Sequence, residues 1–304
     1  MTNEPVHIAL ASDRNYLPFA AITMASAAAN SSRKLIFHFL YESLDENDFR
    51  TFDFLKKYPH VELQKHKISD AFFRDWPDMR WSKAIYYRLM IPEILPHLDR
   101  IIYLDCDLCV LGDLAELWDR DFEGRSCMAV VTKIKESHAE LLGIDSRDYF
   151  NSGVLVISPS AMLKNNTIAS FKKCFVEYAD KLKYPDQDIL NIVFKNDYLL
   201  LHPRWNIITS TYRNPPIEAY STEEVIYALM HPGIVHFTGR HKPWMLWKSF
   251  HHPYSLAIRR YAKIAGLKGI YAKLFLKSLF FRKVVRPKKK LPWDSSVIDF
   301  SLLK

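Results

Sequence analysis

The chain has 304 residues, and 49% of them are hydrophobic, which is enough apolar material for a large folded domain and excludes a disordered protein. A net charge of +8 would be typical of a nucleic-acid-binding protein if it were spread over the chain. Twelve of the 42 lysines and arginines instead lie within residues 259–290, where no acidic residue occurs, so the rest of the chain is slightly acidic, with 30 basic against 34 acidic residues.

Strand and helix patterns alternate along the first 250 residues. In chain order they are the strand "VHIALASD", the helix "YLPFAAITMASAAAN", the strand "KLIFHFLYE", the helix "DENDFRTFDFLKKY", the strand "HVELQKHKI", the helix "WSKAIYYRLMIPEILP", the strands "RIIYLDCD", "CMAVVT" and "NSGVLVIS", helices over residues 161–181 and 187–194, and the strands "YLLLHP" and "GIVHFTG". This order predicts an α/β fold with a mostly parallel sheet flanked by helices.

The apolar strand "RIIYLDCD" ends at two aspartates, Asp105 and Asp107. Residues two apart on an extended backbone point to the same side, so their oxygens can converge on one ion. Two carboxylates at the end of a buried strand repel each other unless a cation or hydrogen-bond donors balance them. A divalent Mg²⁺ or Mn²⁺ that bridges a diphosphate would supply that balance.

The first predicted strand is also followed by polar residues, including Asp13 and Asn15. In open α/β sheets, ligands bind beyond the carboxyl ends of the strands, so these residues belong to the same expected site as the aspartates. No GxGxxG or GK[ST] pattern follows this strand, which argues against a dinucleotide site and a P-loop.

Cys106 and Cys109 form a CxxC pattern beside the predicted buried strand. No second CxxC or nearby Cys/His pair completes a zinc site, so we interpret both as small packing residues. The N-terminal segment "MTNEPVHIALASD" lacks the pattern of a secretory signal. Together with the cysteine usage, this favours a protein of the reducing cytosol.

Several segments resemble family 8 glycosyltransferases, which are retaining sugar-nucleotide enzymes of the GT-A fold. The matching segments, in consistent order over residues 6–250, are "ASDRNY", "YYRL", "YLDCDLCVLGDLAELWD", "YFNSGVLVI", "YPDQDILN" and "VHFTGRHKPW". The resemblance implies a GT-A-type nucleotide-binding sheet and transfer of galactose or glucose from a UDP-sugar with retention at the anomeric carbon.

The resemblance also assigns roles to individual residues. The implied donor-binding residues are Asp13, Asn15, Tyr16, Arg88, Asp105, Asn151, Ser152, Gly239 and Lys242. The implied metal ligands are Asp105, Asp107 and His236. A histidine among carboxylates suits Mn²⁺ better than Mg²⁺, so Mn²⁺ is the expected cofactor, with Mg²⁺ as the second choice.

The implied catalytic residues are Asp186, Gln187 and Asp188. Asp186 would bind sugar hydroxyls and Gln187 would lie near the anomeric carbon. A neutral amide is a poor nucleophile, so we favour a front-side, oxocarbenium-like path and keep Asp188 as the reserve candidate for a covalent role. Near the start of a predicted helix, Asp186 and Asp188 should lie on different faces.

Two residues depart from what these motifs require. Cys106, between the two aspartates, should point away from the ion, although a thiol beside a metal is open to oxidation and can compete for softer ions. Arg14 occupies the nucleotide loop, where a small or acidic residue would fit equally well.

The predicted domains are a catalytic domain over residues 1–255 and a basic amphipathic C-terminal tail over residues 256–304. Apolar residues recur in the tail at helical spacing, with lysines and arginines interleaved. We interpret residues 259–290 as a surface for an anionic membrane, which would make the protein cytoplasmic and peripheral on the inner face of the cytoplasmic membrane. The alternative is a helix that docks on the body. With a membrane role, the expected acceptor is a lipopolysaccharide or lipooligosaccharide core.

Two other functions compete with a glycosyltransferase. A nucleotidyltransferase could use the same carboxylates, but it would need a glycine-rich basic loop after the first strand, and "ASDRNY" has no glycine. A non-catalytic nucleic-acid-binding protein could use the basic tail, but its body should also carry interleaved aromatic and basic residues. The body is acidic, so no nucleic acid is expected as a partner.

Overall fold

A computed structural model of the chain describes residues 4–69, 73, 83–213, 216, 218–239, 242–244 and 254–272. The strands in this part of the chain are β1 (Val6–Ala11), β2 (Leu35–Tyr41), β3 (Val61–Lys67), β4 (Ile101–Leu104), β5 (Leu108–Val110), β6 (Cys127–Val131), β7 (Phe150–Ile157), β8 (Tyr198–Leu200) and β9 (Ile234–His236).

Seven of these strands form one sheet in the order β3-β2-β1-β4-β7-β6-β8. The pairs β1·β2, β2·β3, β1·β4 and β6·β8 are parallel, whereas β7 runs antiparallel to both β4 and β6. The mostly parallel α/β sheet predicted from the sequence is therefore confirmed.

The strand predicted in "GIVHFTG" does not join this sheet. Its residues form β9, which pairs antiparallel with β5 in a separate two-stranded sheet. The register places His236 opposite Leu108, directly after the two aspartates. This pairing brings the segment that contains His236 next to the turn after β4.

The α-helices are α1 (Leu17–Asn30), α2 (Glu46–Phe49), α3 (Ile91–Ile94), α4 (Leu114–Trp118), α5 (Glu136–Leu142), α6 (Pro159–Lys164), α7 (Thr167–Glu177), α8 (Pro185–Val193), α9 (Thr209–Arg213), α10 (Thr222–Met230) and α11 (Ser255–Ile264). Additional 3₁₀ helices span Arg14–Tyr16, Arg50–Lys57, Lys83–Met90 and Pro203–Trp205.

Three predicted helices differ from the observed ones. The helix predicted over residues 161–181 is interrupted before α7 by Asn166, whose left-handed backbone (φ 54°) cannot continue an α-helix. The helix predicted in "DENDFRTFDFLKKY" begins as α2 and continues as 3₁₀ helix Arg50–Lys57. Most of the described part of "WSKAIYYRLMIPEILP" is likewise 3₁₀ helix, followed by α3.

The central strands of the sheet are buried on both faces. Along β1, the side chains of Val6, Ile8 and Leu10 belong to one hydrophobic cluster and that of Ala9 belongs to the other. The alanine-rich helix α1 covers the first face, and its small side chains allow close approach to the sheet and to β5. The continuous apolar runs in the strands are explained by this double burial.

The start of the C-terminal tail packs on the body. Helix α11 lies against α1, with Ile258, Tyr261 and Ala262 buried, and the hydroxyl of Tyr261 accepts from Asn30 Nδ2 at 2.8 Å. Apolar side chains from Ile258 to Tyr271 contact the core, as in the docked alternative. Most of the tail, residues 273–304, lies outside the described residues.

The helices described here include none that is long and apolar enough to cross a membrane.

A chain of three histidines crosses the sheet on adjacent strands. His7 Nδ1 lies 2.9 Å from His38 Nε2, and His38 Nδ1 lies 3.0 Å from His66 Nε2. Burial, with the neighbouring His7 and His66, lowers the pKa of His38 from 6.5 to about 3. The pKa values of His7 and His66 are lowered as well, mainly by burial. The three histidine side chains are therefore uncharged in the folded protein near neutral pH.

The lowered pKa values of these three histidines predict that the folded protein loses stability in acid. Below pH 6.5 the unfolded protein binds protons that native His38 does not, so stability falls as the pH drops toward about 3, by up to about 1.4 kcal/mol per pH unit for each such proton. Urea unfolding at several pH values should show a shallower pH dependence in His38→Leu than in wild type. The control His231→Leu removes a histidine that does not belong to this group of three, and its stability should depend on pH as in wild type. The same pH dependence of stability in all three proteins would contradict the prediction.

Candidate active site

The two aspartates of the DxD motif lie in the turn between β4 and β5. The backbone N–H of Asp105 donates to the carbonyl oxygen of Gly153 on β7 at 2.8 Å. On the other side, the hydroxyl of Thr23 on α1 lies 3.0 Å and 2.9 Å from the carbonyl oxygens of Cys106 and Leu108. The backbone of the turn is therefore held from both β7 and α1.

The cysteine between the aspartates is directed at β1. The thiol of Cys106 donates to the carbonyl oxygen of Ala11 at 3.3 Å, and the side chain belongs to the hydrophobic core. Burial, followed by the charges of Asp105 and Asp107, raises the pKa of this thiol well above its ordinary value. A protonated, enclosed thiol does not compete for a soft metal ion, which answers the concern raised by the sequence.

Strand β9 brings His236 to the same turn. Its Nε2 lies 3.0 Å from Asp107 Oδ1 and 3.5 Å from Asp105 Oδ2. One ligand atom from each of the three residues lies within 4.8 Å of the others, so they could hold one metal ion. The three residues that the sequence analysis selected as ligands therefore come together.

Lys242 balances the charge of Asp107. Its Nζ forms an ion pair with Asp107 Oδ2 and donates to the carbonyl oxygen of Phe237 at 2.7 Å. Burial alone would raise the pKa of Asp107, but its contacts with His236 and Lys242 outweigh it and hold the pKa well below its ordinary value. The carboxylate stays ionised despite its enclosure.

A chain of hydrogen bonds fixes the tautomer of His236. The backbone N–H of Gly153 donates to Asn151 Oδ1 at 3.1 Å, so the Asn206 group that lies 2.8 Å from the same oxygen is the Nδ2 amide. Asn206 Oδ1 then faces His236 Nδ1 at 3.1 Å, and Nδ1 must carry the hydrogen. Nε2 therefore faces the aspartates, and the N–H at Nδ1 is held by a hydrogen bond to Asn206, as the second ring nitrogen is in many metal-ligating histidines.

Arg88 lies between two carboxylates. Its guanidinium donates to Asp105 Oδ1 at 2.8 Å and to the carbonyl oxygen of Ser152 at 2.8 Å, and lies 3.3 Å from Asp186 Oδ2. Burial alone would lower the pKa of Arg88, but the surrounding negative charge, above all that of Asp105, raises it. Burial raises the pKa of Asp186. The planar cation holds the two acids at fixed positions.

Gln187 belongs to a connected polar group beside Arg88. Its Oε1 accepts from Asn151 Nδ2 at 2.8 Å and from the backbone N–H of Ser152 at 3.1 Å. The hydroxyl of Ser152 donates to Asp186 Oδ2 at 3.1 Å. The residues expected on the sugar side therefore meet where α8 begins next to β7.

Asp188 lies on the other face of α8, as its two-residue spacing from Asp186 predicts. The residue is 0% exposed. It accepts hydrogen bonds from Tyr149 Oη at 2.5 Å, from His138 Nε2 at 3.1 Å and from two backbone N–H groups just before α8 at 2.8 and 2.9 Å. This enclosed carboxylate has no exposed surface from which to attack a sugar.

The residues expected to bind the nucleotide follow β1. Asp13 Oδ1 accepts from the backbone N–H groups of Asn15 and Tyr16 at 2.9 and 3.2 Å, which caps the short 3₁₀ helix. Burial raises the pKa of Tyr16, and the nearby charges of Lys242 and Asp107 act on it too. Tyr16 is 40% exposed, and its ring meets that of Phe19 edge-on, with the centroids 5.5 Å apart.

The segment after β9 is anchored to α1. The ring of Trp244 stacks on that of Phe19, with the centroids 3.9 Å apart. Gly239 has a positive φ of 84°, which favours glycine, and apart from its chain neighbours no atom of the described residues lies within 4 Å of where a Cβ would stand. The side chain of Arg14, by contrast, pairs with Asp48 outside this site.

Several residues of the site were missed in the sequence. Asn206 follows an ordinary 3₁₀ helix, and His138 lies in an amphipathic helix, so neither stands in a pattern that indicates chemistry. Tyr149 is in the segment "YFNSGVLVI", but we assigned it no role. Only distances between distant segments identify these three residues.

The chain matches a family model described as glycosyl transferase family 8 over residues 7–248. The chain belongs to glycosyl transferase family 8. It is therefore a glycosyltransferase, and the family assignment favours this function over the nucleotidyltransferase and nucleic-acid-binding alternatives. The resemblance seen in the six sequence segments is confirmed.

Relatives of this family 8 chain include enzymes of lipopolysaccharide synthesis. It is 27% identical to an Escherichia coli lipopolysaccharide 1,2-glucosyltransferase, over 91% of this chain and 89% of that one. It is 27% identical to the lipopolysaccharide 1,3-galactosyltransferase of Salmonella typhimurium (80% and 74%). General stress protein A of Bacillus subtilis is 34% identical, over 57% of this chain and 62% of its own length.

Solved structures show the same fold. The galactosyltransferase LgtC, crystallised with donor and acceptor sugar analogues, has a TM-score of 0.72, at 23% identity over 86% of this chain and 96% of that one. GlyE of Streptococcus pneumoniae has a TM-score of 0.65, at 20% identity over 90% and 64%. The GT-A fold expected from the motifs is thereby confirmed.

Gly153 offers a direct test of how closely this family 8 site is packed. A Cβ at this position would lie 2.1 Å from His236 Cε1 and 2.6 Å from Asp105 Oδ2, so Gly153→Ala must displace two expected metal ligands. We expect Mn²⁺ affinity, measured by isothermal titration calorimetry, to fall by roughly 10- to 100-fold. Gly269→Ala adds its methyl group where no other segment of the described residues lies within 4 Å, and it should bind Mn²⁺ like wild type. Unchanged affinity in Gly153→Ala would show that the cluster does not hold the ion.

Proposed function

We propose that this glycosyltransferase moves a hexose, galactose or glucose, from a UDP-sugar to a saccharide acceptor with retention at the anomeric carbon, and that it needs Mn²⁺. The observation that carries the proposal is the cluster of Asp105, Asp107 and His236 beside Lys242. Partly buried acids, a buried imidazole and a buried amine in one place suit a diphosphate together with a divalent cation.

The cluster fits a divalent cation by its donor chemistry. Asp105 and Asp107 offer carboxylate oxygens, and the hydrogen bond to Asn206 leaves His236 Nε2 as the third donor. A bound Mn²⁺ would supply positive charge next to a diphosphate, and the nitrogen ligand is the reason to prefer it to Mg²⁺. GT-A glycosyltransferases typically use such an ion.

The chain itself supplies further positive charge to the departing UDP. Lys242 is buried next to Asp107, so a phosphate that approaches the cluster would meet an amine already held in place. Donors placed where negative charge develops lower the barrier without reorganisation. In this proposal Asp13, Asn15 and Tyr16 hold the uridine, and Gly239 lets the backbone approach the diphosphate.

On the sugar side, we propose that Arg88, Asn151, Ser152 and Asp186 orient the hexose and that Gln187 faces the anomeric carbon. Both acceptor sites of Gln187 Oε1 are engaged by donors, which makes an already weak nucleophile weaker. This supports a front-side path, in which the phosphate of UDP helps to deprotonate the acceptor, over attack by the protein.

The relatives guide the choice of acceptor. Among them are a glucosyltransferase of Escherichia coli and a galactosyltransferase of Salmonella typhimurium, both named for lipopolysaccharide. We propose a lipopolysaccharide or lipooligosaccharide core as the acceptor, which would place the protein in the cytoplasm at the inner face of the membrane. The basic tail, including residues 259–290, supports contact with anionic lipid.

Removal of one carboxylate tests the proposed chemistry. Asp107→Asn takes away a charged metal ligand, so Mn²⁺-stimulated release of UDP from UDP-galactose or UDP-glucose should fall by roughly 100-fold or more. Asp180→Asn changes an exposed aspartate in the same way and should leave the rate unchanged. An Asp107→Asn enzyme that still responds to Mn²⁺ like wild type would exclude this carboxylate as a ligand.

Truncation tests the proposed membrane contact. Because residues 254–272 pack on the core, a chain that ends at Ala272 keeps the docked segment and loses the more distal basic run. It should fail to sediment with phosphatidylglycerol vesicles at low salt but should hydrolyse UDP-sugars at the wild-type rate. Neutral phosphatidylcholine vesicles are the control. Binding of the truncated chain to anionic vesicles as strong as wild type would reject the role of the tail.

A further inference from the structure

Three buried side chains, Tyr149, Asp188 and His138, lie directly behind Gln187. Tyr149 Oη is 2.5 Å from Asp188 Oδ1 and 2.8 Å from Gln187 Nε2, and His138 Nε2 is 3.1 Å from Asp188 Oδ2. Tyr149 is 1% exposed and Asp188 is 0% exposed. Neither residue contacts the metal-ligand cluster through any hydrogen bond or ion pair found among the described residues, so their connection to the site runs through Gln187.

The direction of each hydrogen bond in this group follows from groups that can only donate. Backbone N–H groups of Lys183 and Tyr184 donate to Asp188 Oδ2, so the carboxylate accepts throughout. The hydroxyl of Tyr149 must then donate to Asp188 Oδ1, and only its oxygen remains to accept from Gln187 Nε2. Because its hydrogen is used by Asp188, Tyr149 presents only its oxygen to the amide of Gln187.

The opposite end of the amide is fixed in the same way. The backbone N–H of Ser152 can only donate, and it lies 3.1 Å from Gln187 Oε1, which also accepts from Asn151 Nδ2. A flipped amide would place its NH₂ group against the Ser152 N–H and its oxygen against the Tyr149 oxygen. One orientation of Gln187 is therefore enforced from both sides.

We propose that Tyr149 and Asp188 are positioning residues that hold the side-chain amide of Gln187 in a single orientation for hexose transfer. This inference rests on the proposed function, in which Gln187 faces the anomeric carbon. Asp188 acts through Tyr149 and does not bond to the sugar. His138, which can only donate to the carboxylate, supports Asp188 from behind.

The kinetic test is Tyr149→Phe, which removes the hydroxyl and keeps the buried ring. A freed amide samples wrong orientations, so kcat should fall by roughly 10- to 100-fold while KM for the UDP-sugar stays within about 2-fold. Rates are measured well below the melting temperature of each variant. Asp188→Asn is less informative, because its NH₂ group would face other donors and the protein could fail to fold.

A double-mutant cycle separates positioning from a general structural role. If Tyr149 acts through Gln187, adding Tyr149→Phe to a Gln187→Ala enzyme should change kcat by no more than about 2-fold. The matched control is Tyr220→Phe. Tyr220 is also buried, but its hydroxyl bonds to the backbone of Val131 and Leu201, away from Gln187. This control should keep the wild-type kcat.

A measurement without substrate keeps the inference independent of the proposed function. In protein labelled with ¹⁵N-glutamine, the side-chain signals of Gln187 are assigned from their absence in Gln187→Ala. We expect one Nε2 hydrogen to exchange slowly with solvent in wild type and rapidly in Tyr149→Phe. Failure of the wild-type enzyme to use any UDP-sugar would refute the proposed function, while these exchange rates would still decide the positioning role.

Three results would overturn the inference. The first is equal exchange of the Gln187 amide in wild type and Tyr149→Phe. The second is a Tyr149→Phe enzyme that keeps the wild-type kcat, or whose loss of kcat is the same when Gln187 is already alanine. The third is a hexose covalently attached to Asp188 in the wild-type enzyme, detected by peptide mass spectrometry, since a nucleophile must contact the sugar directly.

Discussion

Charge balance in the turn after β4 is the constraint on which the site depends. Two neighbouring, partly buried carboxylates repel each other, so each needs positive charge beside it. Arg88 pairs with Asp105, whereas Lys242 and His236 lie against Asp107. These partners come from segments far apart in the chain, and the turn therefore holds together the 3₁₀ helix Lys83–Met90, β9 and the segment that follows β9. Loss of one member would leave a buried charge unpaired, which is costly.

Strand β7 gives the site its orientation. Backbone N–H groups of Ser152 and Gly153 donate to Gln187 and Asn151, and these bonds decide which way the Gln187 amide points and which nitrogen of His236 carries hydrogen. Because Gly153 has no side chain, Asp105 and His236 can approach the strand closely. One short stretch of backbone thus aligns the metal-ligand cluster with the residues expected to meet the sugar.

The periodicity of the sequence correctly predicted the apolar strands and the helix α1. The apolar strands and the alanine-rich helix α1 lie where periodicity predicts them, because double burial and close packing leave direct marks on composition. Residues 50–57 and 83–90 are 3₁₀ rather than α-helical, although their spacing of apolar residues is similar. Strand β7 runs antiparallel to its neighbours in the main sheet, and β9 belongs to a second sheet. Both features depend on pairings between distant strands, which the periodicity of the sequence does not encode.

The sequence by itself determined the α/β class, the resemblance to family 8 and, through that resemblance, the candidate ligands Asp105, Asp107 and His236, because the motifs that carry the resemblance are continuous segments of the chain. Only the tertiary structure decided that Cys106 faces β1, that Asp188 is enclosed while Asp186 meets Arg88, and that Asn206 and Tyr149 orient the site. The physical reason is that hydrogen-bond direction and burial depend on partners brought together from separate segments, and a linear pattern carries no record of which partners meet.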